Sequence, residues 1–164
     1  MAELTNLETK LGEVLGLAMA AQGATEKVKK LDDLDDDLAK TLDRMHKEAK
    51  QAEERATEVA QSFEGKKTAI LEEAREVKQK ATSMMQDYLD KSADALDGFE
   101  FLTMAEAGEV GHWEILKTLN ERARNSGVQE LVEWGIPIQQ RHFADVRDGS
   151  LQLAAQEDPN APAE

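Results

Sequence analysis

The sequence predicts an all-α fold: a four-helix bundle of two antiparallel hairpins, with a helical crossover between the second and third helices of the bundle. Three observations carry this expectation. Aromatic residues make up only 4% of the chain while Ala, Leu, Glu and Lys dominate, the composition of long helices. Apolar residues recur at alternating steps of three and four through five segments, the signature of helices that bury one stripe. Strand-like runs of β-branched residues are missing. The length of 164 residues suits one domain, expected over 1–154, followed by a polar, acidic, proline-containing tail over 155–164 that is expected to be disordered.

The first helix is expected from about Glu3 to Lys29, with Leu4, Leu7, Leu11, Val14, Ala18, Ala21, Thr25 and Val28 in register. The acidic run Asp32 to Asp37 breaks the pattern; without the glycine and closing glutamate of a calcium loop it reads as a charge cluster at a helix start. The second helix then runs to about Ser62 on Leu38, Leu42, Met45, Ala49, Ala52, Ala56, Val59 and Phe63. Glu64-Gly65 interrupts it, and a third amphipathic piece follows on Ile70, Ala74, Val77, Ala81, Met84 and Tyr88. The fourth extends from about Ala93 to Arg124, with Leu102, Ala105, Glu109, His112, Leu116, Leu119 and Ala123 as its stripe. Asn125-Ser126-Gly127 reads as a stop and tight turn. The fifth runs from near Val128 to about Ala154 on Val128, Val132, Gly135, Gln139, His142, Val146, Gly149 and Leu153, and Gly135 with Pro137 should kink it.

Rods of this kind are roughly 40 Å long at 1.5 Å per residue and can lie side by side. Short links make the first two helices, and the last two, antiparallel neighbours. Two hairpins joined by a long connection is the ferritin-like arrangement of four helices. Because the third segment is itself amphipathic, a simple antiparallel array of five helices is the rival. Gly108 and Gly111 are expected to let a neighbouring helix approach closely, and Trp113 and Trp134 to act as packing anchors.

A net charge of −14 with no basic stripe disfavours nucleic acid. It equally argues against attraction to an anionic membrane, and no apolar stretch is long enough to span one. The chain has no cysteine, so disulfides, thiolate metal sites and cysteine nucleophiles are excluded. A start lacking the basic-then-apolar pattern of a secretion signal leads us to expect a cytoplasmic location. No Gly-rich phosphate loop or Ser-His-Asp set stands out. The protein partner is open, and exposed helix faces leave room for a homodimer.

The chain has three histidines, and each follows an acid or its amide by three residues: Asp43 and His46, Glu109 and His112, Gln139 and His142. Residues at that spacing share a helix face, and Glu-x-x-His is a unit of di-iron bundles. The last two pairs interrupt apolar stripes, and buried charge is costly unless it is paired or binds metal. Folding the hairpin near residue 126 brings Glu109, His112, Gln139 and His142 within about one turn of each other. Asp43 and His46 instead flank Met45 at a boundary. Glu13 and Glu48 border their stripes at similar depth and could lean inward together. Two readings stand side by side: a metal site, and a hydrogen-bonded network that fixes helix register.

The stretch from Leu38 to about Leu153 resembles the bacterial Yci-type ferritin-like stress-response proteins. The resemblance rests on Gly65-Lys66-Lys67 opening the acidic segment Leu71-Glu72-Glu73-Ala74, on Gly111-His112-Trp113-Glu114-Ile115, and on Ile138-Gln139-Gln140 through Asp145. Several of the family's metal-ligand positions are replaced: Gly111 stands for the glutamate before the histidine, Gln139 and Gln140 for paired acids, and Ala52 for a histidine, while Glu48 matches. The resemblance therefore implies a bundle with a reduced or lost di-metal centre, in stress or metal handling. Amides supply no charge to hold two cations, so the expectation is one ion of Fe, Mn or Zn among Glu109, His112, Gln139, His142, Glu48 and Glu13. Any activity would be of the ferroxidase type. The alternative is a structural or partner-binding bundle with neither metal nor catalysis.

Overall fold

A computed structural model describes residues 2–162, in which every regular element is a helix: α1 (Asn6–Lys29), α2 (Asp36–Gln61), α3 (Lys67–Tyr88), α4 (Ala95–Ala123) and α5 (Ser126–Ala154). Local chemistry sets the ends. Thr5 opens α1 with a capping box, its hydroxyl accepting from the Glu8 N–H while the Glu8 carboxylate accepts from the Thr5 N–H. This places the start three residues later than the apolar pattern alone implies. Asp35 caps α2 through the Leu38 N–H, and Asp36 and Asp37 sit in the first turn, where negative charge complements the helix dipole. Asp94 and Asp97 form the box that opens α4.

Gly65, at φ 71°, makes the left-handed turn between α2 and α3. The α4–α5 turn is held by a buried side chain: Asn120 Nδ2 donates to the Asn125 carbonyl and Asn120 Oδ1 accepts from the Asn125 N–H, both at 3.0 Å. Asn125 in turn accepts from the Val128 N–H, so α5 begins at Ser126 rather than at Val128. Pro137 lies inside α5. Residues 155–162 are exposed and non-helical; the last two tail positions lie outside the described residues.

Contacts close a circuit α1–α2–α5–α4, and α3 lies against α1 and, more sparsely, α2. Gly12 and Gly16 face Ile70, Glu73, Ala74 and Val77, so α1 and α3 run parallel; a Cβ at Gly16 would collide with the Ala74 carbonyl, and glycine alone permits this approach. Glu13–His112 together with Gly98 against Val28 sets α1 antiparallel to α4, and Glu48–Arg141 together with Arg44–Asp145 sets α2 antiparallel to α5. Gly108 and Gly111 do not serve as contact points, since nothing lies within 4 Å of a Cβ at either.

The α4 stripe is rotated from the one read in the sequence. Phe99, Leu102, Glu106, Glu109, Trp113, Leu116 and Asn120 are buried. This register and the expected one share Leu102, Glu109 and Leu116 and differ by one residue on the flank. Burying the large faces of Phe99 and Trp113 outweighs burying Ala105 and His112, and the indole of Trp113 fits against Gly135 of α5.

Two separate apolar clusters result. One contains Leu11, Leu15, Ala56, Ile70, Trp113 and Val132; the other contains Val28, Leu42, Met45, Phe99, Leu102 and Val146. Between them, along the helices, lie the polar residues.

Candidate functional site

Four helices meet at this mid-length layer. A cavity of about 10 Å³ is lined by Glu48 from α2, Glu106 and Glu109 from α4, and Gln139 and His142 from α5. Small residues on α1 and α2, Ala18, Ala21, Ala49 and Ala52, give these longer side chains room. A space of that volume suits one water-sized occupant.

Glu106 is 2% exposed, Glu109 6% and His142 3%, so three ionisable groups are packed out of water. Gln139 Nε2 donates to Glu106 Oε2. His142 faces a carboxylate at each nitrogen, Nδ1 3.7 Å from Glu106 Oε2 and Nε2 3.7 Å from Glu48 Oε1. Both separations are too long for hydrogen bonds, and His142 Nε2 and Glu48 Oε1 have no hydrogen-bond partner.

Burial dominates the protonation states. It pushes the Glu106 carboxyl up to about 8, against a smaller downward pull from the Gln139 amide. Glu109 is raised well above the usual carboxylate range by burial and then by the charge of Glu106. The His142 imidazole is held down at about 4 by burial, which outweighs the attraction of Glu48. At neutral pH Glu106 and Glu109 are therefore carboxylic acids and His142 a neutral imidazole.

The residues expected to bind metal separate into two places. Glu109, Gln139, His142 and Glu48 share the cavity. His112 and Glu13 do not: the His112 side chain is 37% exposed, its Nδ1 lies 3.2 Å from Glu13 Oε2, and Lys10 pairs with the same carboxylate. The one-residue rotation of α4 turns His112 towards α1 and brings in Glu106, which the sequence reading missed. Its signal was present in the 4-3-4 spacing of Leu102, Glu106, Glu109 and Trp113. His46 sits at a boundary, its Nδ1 3.1 Å from the Gln22 carbonyl, and Asp43 pairs with Lys29 at 2.6 Å on the surface.

A metal centre needs free anionic oxygens converging on one point. Here Glu48 lies between Arg141 and Arg44, the Arg44 Nε at 3.6 Å. Glu106 receives the Gln139 amide and Glu13 receives Lys10. Among the described residues, no three His, Cys, Asp or Glu side chains are gathered to hold a metal ion. As arranged, these residues do not fit a di-metal centre. Among the same residues, no helix is long and apolar enough to cross a membrane. A scan of protein-family models, a search of curated proteins and a search of solved structures each find no match to this chain.

Proposed function

We propose that this protein is a ferritin-like bundle whose di-metal centre has been lost, and that its uncharged polar layer serves as a register-fixing core in a structural or partner-binding scaffold. One observation carries the reading: the acids at di-metal depth are held by the protein's own groups, Glu48 by arginines and Glu106 by the Gln139 amide. Support for the ferritin-like part comes from the contact circuit of α1, α2, α5 and α4, with α3 returning the chain so that α4 runs parallel to α2. The sequence resemblance over Leu38 to Leu153 points the same way. The buried hydrogen bond from Gln139 to Glu106 holds one axial alignment of α4 against α5, because sliding either helix would leave both groups unsatisfied among apolar side chains.

A second reading, one ion of Fe, Mn or Zn, is favoured by the buried and unpartnered His142 Nε2 and Glu48 Oε1 beside a water-sized space. Metal analysis separates the two. Untagged protein is loaded anaerobically with Fe(II), Mn(II) or Zn(II), desalted and analysed for bound metal. The scaffold reading expects well below one ion per chain, with no change in His142→Ala. Stoichiometric metal that disappears in His142→Ala would overturn it in favour of the single-ion site. Oxygen consumption on Fe(II) addition would restore the ferroxidase expectation.

A further inference from the structure

Gly108 and Gly111 of α4 face open space, with nothing within 4 Å of a Cβ at either. Apolar bulk surrounds them. Among the described residues, five large apolar side chains stand exposed, and four belong to this side of the molecule: Met104 and Ile115 on α4, and Met84 and Tyr88 on the adjacent α3. Met84 and Met104 line one groove with Gly108, and the Tyr88 ring centre stands 5.6 Å from that of Phe101. Glu106 and Trp113 point to the opposite, buried side of α4. This face is therefore independent of the polar layer and of whatever occupies it.

The order of residues on the face selects its occupant. Met104, Gly108, Gly111 and Ile115 follow at steps of four, three and four, the spacing of a seam that packs lengthwise on another helix. The pattern also reads the same from either end, large-small-small-large about a centre between Glu109 and Val110. One heptad further out stand Asp97 and Arg122, equally far from that centre and opposite in charge. Arg122 is exposed, and Asp97 Oδ2 accepts the Asp94 N–H without losing the carboxylate's charge. A partner of unrelated sequence has no need of such symmetry. A second copy related by a two-fold axis does, because residue i then meets residue j and j meets i.

We propose that this face joins two copies of the chain in a two-fold dimer, with α4 packed antiparallel on α4. Gly108 of each copy lies against Gly111 of the other, which lets the two helix axes come close, and Met104 lies against Ile115. Asp97 and Arg122 pair across both ends, while Met84 and Tyr88 flank the seam. The net charge of −14 opposes any self-association. Opposition is weakest on this stripe, whose positions between Asp97 and Arg122 carry no charge. Glu100, Glu114 and Glu121 edge it on one side, exposed to solvent, where salt screens them.

Sedimentation equilibrium in about 0.15 M salt should find the wild type dimeric at roughly 100 µM chain. Gly108→Gln and Gly111→Gln should each weaken the dimer roughly a hundredfold, because the axis makes every substitution act twice. Glutamine favours helix over glycine and meets open space within the chain. A fall in mass therefore reads the interface rather than the fold, and circular dichroism checks this. The cysteine-free background makes the register testable. A short bis-maleimide should not cross-link chains carrying Met104→Cys alone, nor Ile115→Cys alone, since each thiol stands roughly 16 Å along the axis from its copy. A mixture of the two variants should cross-link. A wild type that is monomeric at this concentration would overturn the proposal, as would dimers untouched by either glutamine. So would a mixture that stays uncross-linked, or single variants that cross-link with themselves, which would mark another face or a parallel pairing.

Discussion

The uncharged state of the polar layer has a measurable consequence in Glu106→Gln. In the unfolded chain Glu106 titrates at its ordinary 4.5; in the folded protein it holds its proton up to about 8. Below the lower value the carboxyl is neutral in both states, and its contribution to stability is fully present. As pH rises, the unfolded chain gains charged, solvated carboxylate that the folded protein cannot, so stability falls until the folded group also ionises. One pH step costs about 1.4 kcal/mol, so wild type should lose about 3 kcal/mol relative to Glu106→Gln between roughly pH 5 and 7. The gap should level off above the folded value. Glu109, raised for the same reason, acts in the same direction. His142, held at about 4 against an ordinary 6.5, acts oppositely and only below its ordinary value, where protonation of the unfolded chain costs stability as pH falls.

Glutamine is the informative replacement because it keeps the shape and can still accept from Gln139 while having no proton to lose. Urea unfolding followed by circular dichroism at a series of pH values, with the slope against urea unchanged, gives the stability difference directly. Surface repulsion from the net charge of −14 also weakens this protein as pH rises. That effect is nearly common to both proteins and cancels in the difference. Curves for wild type and Glu106→Gln that stay parallel from pH 5 to 8 would mean Glu106 is ionised when folded, and the neutral-layer reasoning would fail.

Two further outcomes follow from the packing. Gly135→Ala should lower stability by about 1 to 3 kcal/mol, because the new methyl collides with the Trp113 ring; Gly108→Ala, on an open face of the neighbouring helix, should raise it by roughly 1 kcal/mol. Thermal melts of the pair decide this, and equal shifts would count against the close Trp113 contact. Asn120→Ala should cost about 1 to 3 kcal/mol, since it leaves the half-buried Asn125 amide and carbonyl of the α4–α5 turn unpaired; denaturation at neutral pH reads it, and a neutral result would show that water replaces the side chain.

The helices were legible because each is written twice in the sequence, as a stripe and as punctuation. Leu38, Leu42, Met45, Ala49, Ala52 and Ala56 all proved buried, and Asp35, Asp94 and Asn125 end the loops as capping chemistry dictates. The rotation of α4 was not legible from periodicity, because Leu102, Glu109 and Leu116 belong to both candidate stripes. Side-chain size decides between them: Trp113 and Phe99 displace His112 and Ala105 from the interior. Of the residues singled out in the sequence, Glu109, Gln139, His142 and Glu48 line one cavity, while His112 and Glu13 pair with each other away from it; Glu106, absent from that set, joins the cavity. The role of Arg44 and Arg141 was hidden because it depends on the face between α2 and α5, which two further helices separate in the chain.

The replaced positions and the protonation states make one argument. Two cations in a bundle core must be balanced by several carboxylates, and removing the cations alone would leave those charges stranded at a cost of several kcal/mol each. On the proposed reading, this chain would meet that constraint by neutralising the layer from three directions. An amide stands at Gln139, Arg44 and Arg141 flank the one acid at the edge, Glu48, and burial keeps the protons on Glu106 and Glu109. A layer balanced in this way gains nothing from a second ion, since each new cation must displace a proton or an arginine.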